Sequence, residues 1–396
     1  MESRDKIACP ACGGTEVLDV LRIARVPVYC NVLWAEREAS LAAASGDLAL
    51  GFCTDCGHLF NAAFDPRLTE YTAAYDNSLH YSPRFSQYAE QLAASLRHRH
   101  GLRGKRIVEI GCGKGDFLRL LCAEGGNRGF GFDRSFEPER IDAGEDANVS
   151  FHQAFYDAQA AQRCDPDFLC CRHVLEHIEQ PRAFLRMLRE TLGGRDDVSF
   201  YCEVPNGLFT LKDLGIWDLI YEHCGYFSLG SLIRAFMDSG FDVTAADESF
   251  GGQFIWVEAK PAAERGRVSA AAQAAADIRG YADSFAAKYR ATVEAWRGKL
   301  ADAHRHGRRT VVWGAGSKGV TFLNVAAAGS AVEYVVDLNP HKQGRFVAGT
   351  GQQVIAPGAL RSIGATDVIV MNPMYVDEVS AAIRSMGLDI PVVSVQ

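Results

Sequence analysis

Between about residues 85 and 258, short apolar runs closed by glycine or a charge alternate with segments whose apolar residues recur every three or four positions. Arg106-Ile-Val-Glu-Ile reads as a strand, the glycine-rich stretch after it as a turn, and Phe117-Leu-Arg-Leu-Leu-Cys as a helix. Gly129-Phe-Gly-Phe-Asp, Asp167-Phe-Leu-Cys-Cys and Val198-Ser-Phe-Tyr-Cys-Glu-Val continue the strands. A helix opening at Pro181 and stopped at Gly193-Gly194 lies between the last two, because proline suits the first helical turn and glycine the position past the end. A further helix is capped by Ser228 and ends at Gly240. This alternation predicts a doubly wound α/β sheet.

The flanking sections follow other patterns. Residues 1 to 66 hold two cysteine pairs, few helical signals and the breaker Asp65-Pro66, which predicts a small metal-stapled, zinc-ribbon-like unit. From about 266 to 305 there is no proline, and Val268, Ala272, Ala275, Ile278, Phe285, Tyr289, Val293, Trp296 and Leu300 recur at helical steps. That stretch predicts a long amphipathic connector. Thr310-Val-Val-Trp-Gly-Ala-Gly-Ser-Lys-Gly then opens a second Rossmann-like pattern, with strands at Val332-Glu-Tyr-Val-Val-Asp and Asp367-Val-Ile-Val-Met. The expected division is 1–66, 67–260, 261–305 and 306–396, all within the α/β class.

Composition narrows the function. A chain of 396 residues exceeds one core, and 48% hydrophobic with 23% charged residues excludes a largely disordered chain or a coiled-coil rod. No run of 18 apolar residues occurs and the N-terminus is charged, so a cytoplasmic protein without a membrane partner is expected. Lys plus Arg is 41 against 49 Asp plus Glu, a net charge of −8, the wrong sign for coating nucleic acid. The twelve cysteines all precede residue 225, and in a reducing compartment they read as metal ligands, buried apolar groups or reactive thiols.

Cys9-Pro-Ala-Cys12 and Cys53-Thr-Asp-Cys56 have the bite of paired knuckles around one tetrahedral ion. Four thiolates leave no place for water, so the expected Zn2+ is structural. The 40 residues between the pairs exceed ribbon spacing and should carry structure of their own. A nucleic-acid-binding ribbon is the other reading, disfavoured by the few basic residues nearby.

Glu109-Ile-Gly111-Cys-Gly113-Lys-Gly115 follows a strand and opens a helix, and Asp133 ends the next strand where a carboxylate could grip a ribose diol. The spacing lacks the third glycine of the dinucleotide fingerprint. The acidic form resembles the S-adenosylmethionine-binding motif of class I methyltransferases, which implies Glu109, Gly111, Gly113, Gly115 and Asp133 as cofactor-binding residues. His173 and His177, in His173-Val-Leu-Glu176-His177, follow a strand at the carboxyl edge where such folds bind ligands; His173 is a candidate lining or catalytic group, and their helical spacing equally suits core contacts. In Tyr221-Glu222-His223 a carboxylate adjoins an imidazole, the pairing that can remove a proton from a carbon acid.

The order of these parts resembles the three-domain, zinc-containing C-methyltransferases of deoxysugar biosynthesis over nearly the whole chain. The matching segments are the two knuckles, Val108-Glu-Ile-Gly-Cys-Gly-Lys-Gly, His173-Val-Leu-Glu-His, Glu222-His223-Cys-Gly-Tyr-Phe-Ser, Gly251-Gly-Gln253-Phe, Lys318-Gly319 and Asp337-Leu-Asn-Pro-His-Lys-Gln-Gly-Arg345. The resemblance implies methyl transfer from S-adenosylmethionine to a sugar carbon beside a ketone, on a nucleotide-linked substrate. It implies His223 as base or part of its relay, Glu222 as its orienter and Tyr221 as enolate donor. Tyr75 is a further active-site candidate, with His80 a weaker stand-in. Two departures stand out: Tyr221-Glu-His is one residue shorter than the family's Tyr-His-Glu-His, and the family's Tyr-Pro-Tyr-His-Ser-Ser is here Tyr75-Asp-Asn-Ser-Leu-His80-Tyr-Ser.

In the last section Gly314, Gly316 and Gly319 have full dinucleotide-type spacing, with Lys318 as a charge partner and Asp337 beyond the next strand. These residues read as a cradle for the nucleotide end of the substrate; a bound dinucleotide and an empty structural unit are the alternatives. The alternative activity is O- or N-methylation of another small metabolite.

Overall fold

The computed structural model describes residues 7–69, 81–136, 147–262, 271–326 and 332–395, without the side chains of 271–277. Strand β1 (Val17–Pro27), helix α1 (Arg37–Leu41) and strand β2 (Ser45–Cys53) fill the interval between the cysteine pairs, and β3 (Leu59–Asn61) follows. β1, β2 and β3 pair antiparallel in sequence. From Leu48 to Cys53 β2 is buried on every residue, so its alternation is lost: both faces of the strand are covered. The Asp65 carboxylate accepts the Arg67 N–H and closes the section with a 3-10 turn at Pro66–Leu68.

The central section runs α2 (Pro83–Arg99), β4 (Arg106–Ile110), α3 (Asp116–Cys122), β5 (Arg128–Phe132), β6 (Val149–His152), α4 (Ala158–Cys164), β7 (Phe168–Arg172), α5 (Pro181–Thr191), β8 (Ser199–Pro205), α6 (Gly207–Lys212), β9 (Gly225–Tyr226), α7 (Leu229–Met237), β10 (Phe241–Ser249) and β11 (Phe254–Pro261). Seven strands form one sheet in the order β10-β11-β8-β7-β4-β5-β6. β11 is antiparallel to both neighbours, while β8, β7, β4, β5 and β6 are mutually parallel. This is the Rossmann-like class I methyltransferase fold. β9 does not join that sheet; it pairs with β3, Leu59 opposite Tyr226 and Phe60 opposite Gly225, so the segment before it is pinned to the N-terminal sheet.

The last section comprises α8 (Ala271–Arg305), β12 (Thr310–Trp313), α9 (Ser317–Val325), β13 (Val332–Val336), β14 (Gln353–Ile355), α10 (Leu360–Ile363), β15 (Asp367–Val370), α11 (Val376–Ser385) and β16 (Val392–Ser394). Its sheet is wholly parallel, in the order β14-β13-β12-β15-β16. Ile278, Phe285, Tyr289, Val293, Trp296 and Leu300 form the buried stripe of α8, at the helical spacing seen in the sequence; Val268 lies outside the described residues. One hydrophobic core joins the N-terminal sheet, α8 and the last sheet. Within it Phe322 meets Trp217 edge-on at 4.9 Å and Trp296 at 5.5 Å between ring centroids. The segment 216–226 is therefore clamped among three layers. No helix among the described residues is long and apolar enough to cross a membrane.

Candidate active site

The turn after β4 places Gly111, Gly113 and Gly115 at φ of 72°, 53° and 84°, the left-handed region that L side chains seldom adopt. A Cβ at Gly111 would run into Val174 and one at Gly115 into the Phe151 ring, whereas Gly113 faces open space. Gly113 N–H donates to Asp133 Oδ2 at 2.9 Å, and Ser135 N–H and Oγ donate to Asp133 Oδ1 at 2.7 and 2.6 Å. The acid beyond β5 is thereby fixed. Glu109 is buried, and its Oε2 has no partner among the described residues. Burial pushes its carboxyl up to about 8, against the pull of Arg172. An open glycine edge, a fixed carboxylate and a buried unpartnered oxygen fit S-adenosylmethionine, whose ribose and amino groups are donors.

At the carboxyl end of β7, His173 stands at φ 55°, a conformation uncommon for a side-chain-bearing residue and most frequent at functional sites. Its N–H donates to the Glu203 carbonyl at 2.8 Å, and its Nε2 lies 3.3 Å from Glu203 Oε1. Glu203 is fully buried at the centre of a polar cluster: Arg172 pairs with it at 3.0 Å, Tyr201 donates at 2.9 Å, Ser249 at 3.2 Å, and Tyr88 also donates to it. Burial alone would raise the Glu203 carboxyl, but Arg172 and His173 outweigh it and hold it well below the usual range. Arg172 in turn lies 4.0 Å from the Phe117 ring centroid, under the start of α3. His173 and His177 do not share an α-helical face, because a 3-10 turn at Leu175–His177 separates them.

The Tyr221-Glu222-His223 segment does not form the paired unit its sequence suggests. Tyr221 Oη accepts the Asp65 N–H at 2.8 Å and reaches the Asp65 carbonyl at 3.3 Å, so both its hydrogen-bonding roles are spent on the N-terminal section. Glu222 Oε2 accepts the Cys30 N–H at 2.8 Å; burial pushes this carboxyl up to about 8, and no ion pair joins it to His223 among the described residues. His223 instead meets His177, edge-on at 4.8 Å between ring centroids. Ligating atoms of Glu176, His177 and His223 all lie within 4.8 Å of one another. Burial holds His223 well below the ordinary imidazole value, and the nearby His177, His173 and Lys318 add to this. His177 is lowered to about 4, chiefly by burial, so Nδ1 carries the proton it shares with the Glu222 carbonyl at 2.9 Å. Tyr75 and His80 lie outside the described residues.

In the last sheet Gly314 has φ 109°, and a Cβ on Gly319 would strike the Gly314 carbonyl, so α9 packs directly on its turn; Gly316 faces open space. Asp337 accepts the N–H groups of Ala315 and Asn339, both at 2.8 Å, with the buried Lys342 ammonium 3.9 Å away. Asp337 is thus fixed by backbone N–H groups in the same way as Asp133. Lys318 leaves its own sheet's crevice and faces the central one: Nζ pairs with Asp218 at 2.9 Å and donates to Gln253 Oε1 at 3.1 Å. Asn372 Nδ2 donates to the same oxygen at 2.8 Å. Lys318 lies 6.0 Å from the Phe209 ring, which borders a cleft of about 370 Å³ also lined by Asn206, Lys212, Glu248 and Gly252.

The Cys9, Cys12, Cys53 and Cys56 sulfurs also converge within 4.8 Å. All four cysteines are free thiols, Cys9 to Cys56 at 3.7 Å and Cys12 to Cys53 at 3.6 Å. Four thiols in a closed, largely buried cage fit a four-coordinate structural ion. The residues that sequence reasoning left unassigned are Glu203, Arg172, Tyr88, Asp218 and Glu176. A charge inside the apolar run Phe200 to Val204 is the visible clue to the first, since a buried charge implies a partner.

Residues 84–246 match a family model described as a methyltransferase domain, and residues 251–388 match a C-methyltransferase C-terminal domain. The chain is 27% identical over 380 residues to C-methyltransferase NovU of Streptomyces niveus, covering 88% of this chain and 85% of that one. A shorter segment of 112 residues is 30% identical to a ubiquinone biosynthesis O-methyltransferase of Escherichia fergusonii, covering 27% of this chain and 46% of the relative. Among solved structures, the 1,6-didemethyltoxoflavin-N1-methyltransferase of Burkholderia thailandensis, with bound S-adenosylhomocysteine, is 17% identical, covers 46% of this chain and 81% of that one, and has a TM-score of 0.35. The two family matches and the long relative support S-adenosylmethionine-dependent C-methylation, and the chain is an S-adenosylmethionine-dependent methyltransferase.

Proposed function

We propose that this enzyme methylates a carbon next to a ketone, on a nucleotide-linked sugar, through an enolate of the acceptor. The observation that carries the reading is His223, an imidazole kept neutral by burial in a segment clamped between the central sheet, the N-terminal sheet and Lys318 of the last sheet. A neutral imidazole can take a proton from a carbon acidified by a neighbouring carbonyl. The C–H proton passes to His223, and the bonding pair passes toward the ketone oxygen. S-adenosylmethionine, when bound, supplies an electrophilic methyl group.

Glu109, Gly111, Gly113, Gly115 and Asp133 hold that donor. His173, and Tyr75 in the family's pattern, line the acceptor's reacting end. Gly314, Gly316, Lys318 and Gly319 serve its nucleotide end, with the cleft beside Phe209 as the space available. Tyr221 and Glu222 act in this reading mainly by fastening the base segment to Asp65 and Cys30. Cys9, Cys12, Cys53 and Cys56 hold Zn2+ as a structural clamp. The sections 1–66, 67–260, 261–305 and 306–396 are the metal unit, the methyl-transfer unit, the connector and the acceptor-gripping unit of a cytoplasmic enzyme.

The experiment is solvent deuterium incorporation at the acceptor carbon, measured without the methyl donor across a panel of nucleotide-linked keto-sugars. The wild type exchanges; His223→Ala loses both exchange and methylation while still binding S-adenosylhomocysteine in calorimetry. Unchanged turnover in that variant overturns the base assignment. Methyl found on oxygen or nitrogen, with no exchange at carbon, overturns the carbon-acid reading.

A further inference from the structure

An imidazole base needs one ring nitrogen bare toward the acceptor and the other holding its proton against a fixed acceptor group. Glu222, the neighbour in sequence, spends Oε2 on the Cys30 N–H and leaves Oε1 without a hydrogen bond, but it does not belong to the group of side chains that converges on His223. Glu176 is the other carboxyl within reach. It is 1% exposed; Oε1 lies 3.8 Å from His173 Nδ1, and neither of its oxygens accepts a hydrogen bond from the described residues; His223 Nδ1 is likewise buried and without a hydrogen bond. The two residues belong to one group whose ligating atoms lie within 4.8 Å of each other.

Their backbones are tied together. His177 Nδ1–H, one residue after Glu176, donates to the Glu222 carbonyl at 2.9 Å, and Cys224 Sγ–H, one residue after His223, donates to the Glu176 carbonyl at 3.4 Å. The turn carrying the carboxyl and the segment carrying the imidazole are thus held edge to edge. We infer that Glu176 is the positioning residue of His223, holding Nδ1–H and leaving Nε2 for the acceptor's proton. This rests on His223 being the base.

The contact closes as the acceptor fills the site, since catalytic hydrogen bonds are commonly long before substrate binds. On proton abstraction the C–H proton moves to Nε2, the electron pair moves to the ketone oxygen, and the imidazolium so formed faces the Glu176 carboxylate. The proton leaves to solvent after methyl transfer. Glu203 and His173 face Glu176, the latter at 3.8 Å, while His177, His173, Lys318 and the Tyr226 ring face His223. Burial pushes Glu176 up to about 8 and His223 down, so the resting pair is uncharged. Its active form has one proton fewer, and kcat therefore rises with pH through a value that belongs to the pair.

The test compares Glu176→Gln with Glu222→Gln in the full-length enzyme. Glu176→Gln should lower kcat by about 100-fold or more, the range of a misdirected general base, and lower deuterium exchange in parallel. KM and S-adenosylhomocysteine affinity should stay within about two-fold, and the alkaline rise should vanish. Glu222→Gln should keep that rise. Independently of any variant, nitrogen-15 spectra of labelled wild-type enzyme above the transition should show the His223 proton on Nδ1. A Glu176→Gln enzyme with undiminished kcat and an intact rise overturns the inference, as does a proton found on Nε2. A second stoichiometric metal ion, lost in Glu176→Gln, also overturns it, because the three side chains would then be ligands. If His223→Ala retains exchange, the base reading itself has failed; if only Glu176→Gln retains it, the base stands and this inference alone falls.

Discussion

Replacing Arg172 with methionine removes the cation beneath the His173 turn and leaves Glu203 charged at a site with no exposure. The Arg172 and Glu203 side chains are 6% and 0% exposed and meet at 3.0 Å, so solvent cannot screen the surviving carboxylate. Tyr201, Ser249 and Tyr88 still donate to it, but hydroxyls do not neutralise a charge. Breaking such a pair on one side costs about 3–5 kcal/mol, while removing both charges costs far less. Arg172→Met should therefore lower the unfolding free energy of the central sheet by about 3–5 kcal/mol at pH 7, and Arg172→Met with Glu203→Gln should recover about half of that or more. The pH dependence carries a sign. The Glu203 carboxyl is depressed when folded, so its contribution is present above the unfolded value of 4.5 and disappears as pH falls through the folded one. In Arg172→Met burial is opposed only by His173 and the hydroxyl donors, so the folded value rises, and acidification toward pH 5 should recover part of the stability. Urea denaturation followed by far-ultraviolet circular dichroism at pH 7 and pH 5 measures both effects. A loss below about 1 kcal/mol, or a double variant as unstable as the sum of the single ones, would refute the pair as the anchor of this edge.

Three other outcomes are expected. Purified enzyme should carry one zinc per chain by elemental analysis, and Cys53→Ser should release it and expose the β1–β2–β3 sheet to limited proteolysis, since these thiols share one cage. Gly111→Ala forces a side chain into φ 72° and into Val174, a strain of about 1–3 kcal/mol, and should weaken S-adenosylhomocysteine binding at least five-fold in calorimetry. The Glu222 carboxyl is raised from 4.5 to about 8, so its contribution to stability is fully present below 4.5 and declines as pH rises through 8. Glu222→Gln, which can still accept from Cys30, should flatten the fall in melting temperature across that window.

Legibility followed the range of the interactions. The parallel strands, the turn glycines and the cysteine cage were readable because each depends on residues within a few positions: a strand's burial shows as an apolar run, and a knuckle as two cysteines three apart. The long helix was readable from its stripe, which the structure buries at Ile278 through Leu300. The antiparallel pair β10 and β11 was not read, because the exposed Asp242, Thr244, Asp247 and Glu248 break the apolar run of β10. The surroundings of the Tyr221-Glu222-His223 segment were not legible for a different reason. Adjacency made Glu222 the partner of His223, yet consecutive side chains in an irregular loop face different neighbours, and only tertiary packing brings the turn at Glu176 beneath the imidazole. Likewise, glycine spacing could locate the last section's turn but not show that Lys318 pairs with Asp218 of the central section.

The three sections meet on one short segment, and on the proposed reading that gives the cysteine unit a role in chemistry without a place in the reaction. From the cage, Cys53 ends β2 and Cys56 leads into β3; β3 pairs with β9, and β9 begins two residues after His223. Cys30 and Asp65 reach the same segment from the N-terminal section through Glu222 and Tyr221. On the opposite side Lys318 holds Asp218, five residues before the imidazole, and Phe322 packs on Trp217. A displacement of about 1 Å at a reacting group can cost about 100-fold in rate, so an irregular loop carrying the proposed base needs restraint from outside its own sheet. Each flanking section supplies one side of that restraint. On the proposed reading, loss of the zinc should lower kcat and also loosen the central core, because Cys9, Cys53 and Cys56 pack in one hydrophobic cluster with Val108 and Ile110 of β4. A metal-free enzyme that keeps its turnover while its N-terminal sheet is unfolded would show that the base segment stands without the brace.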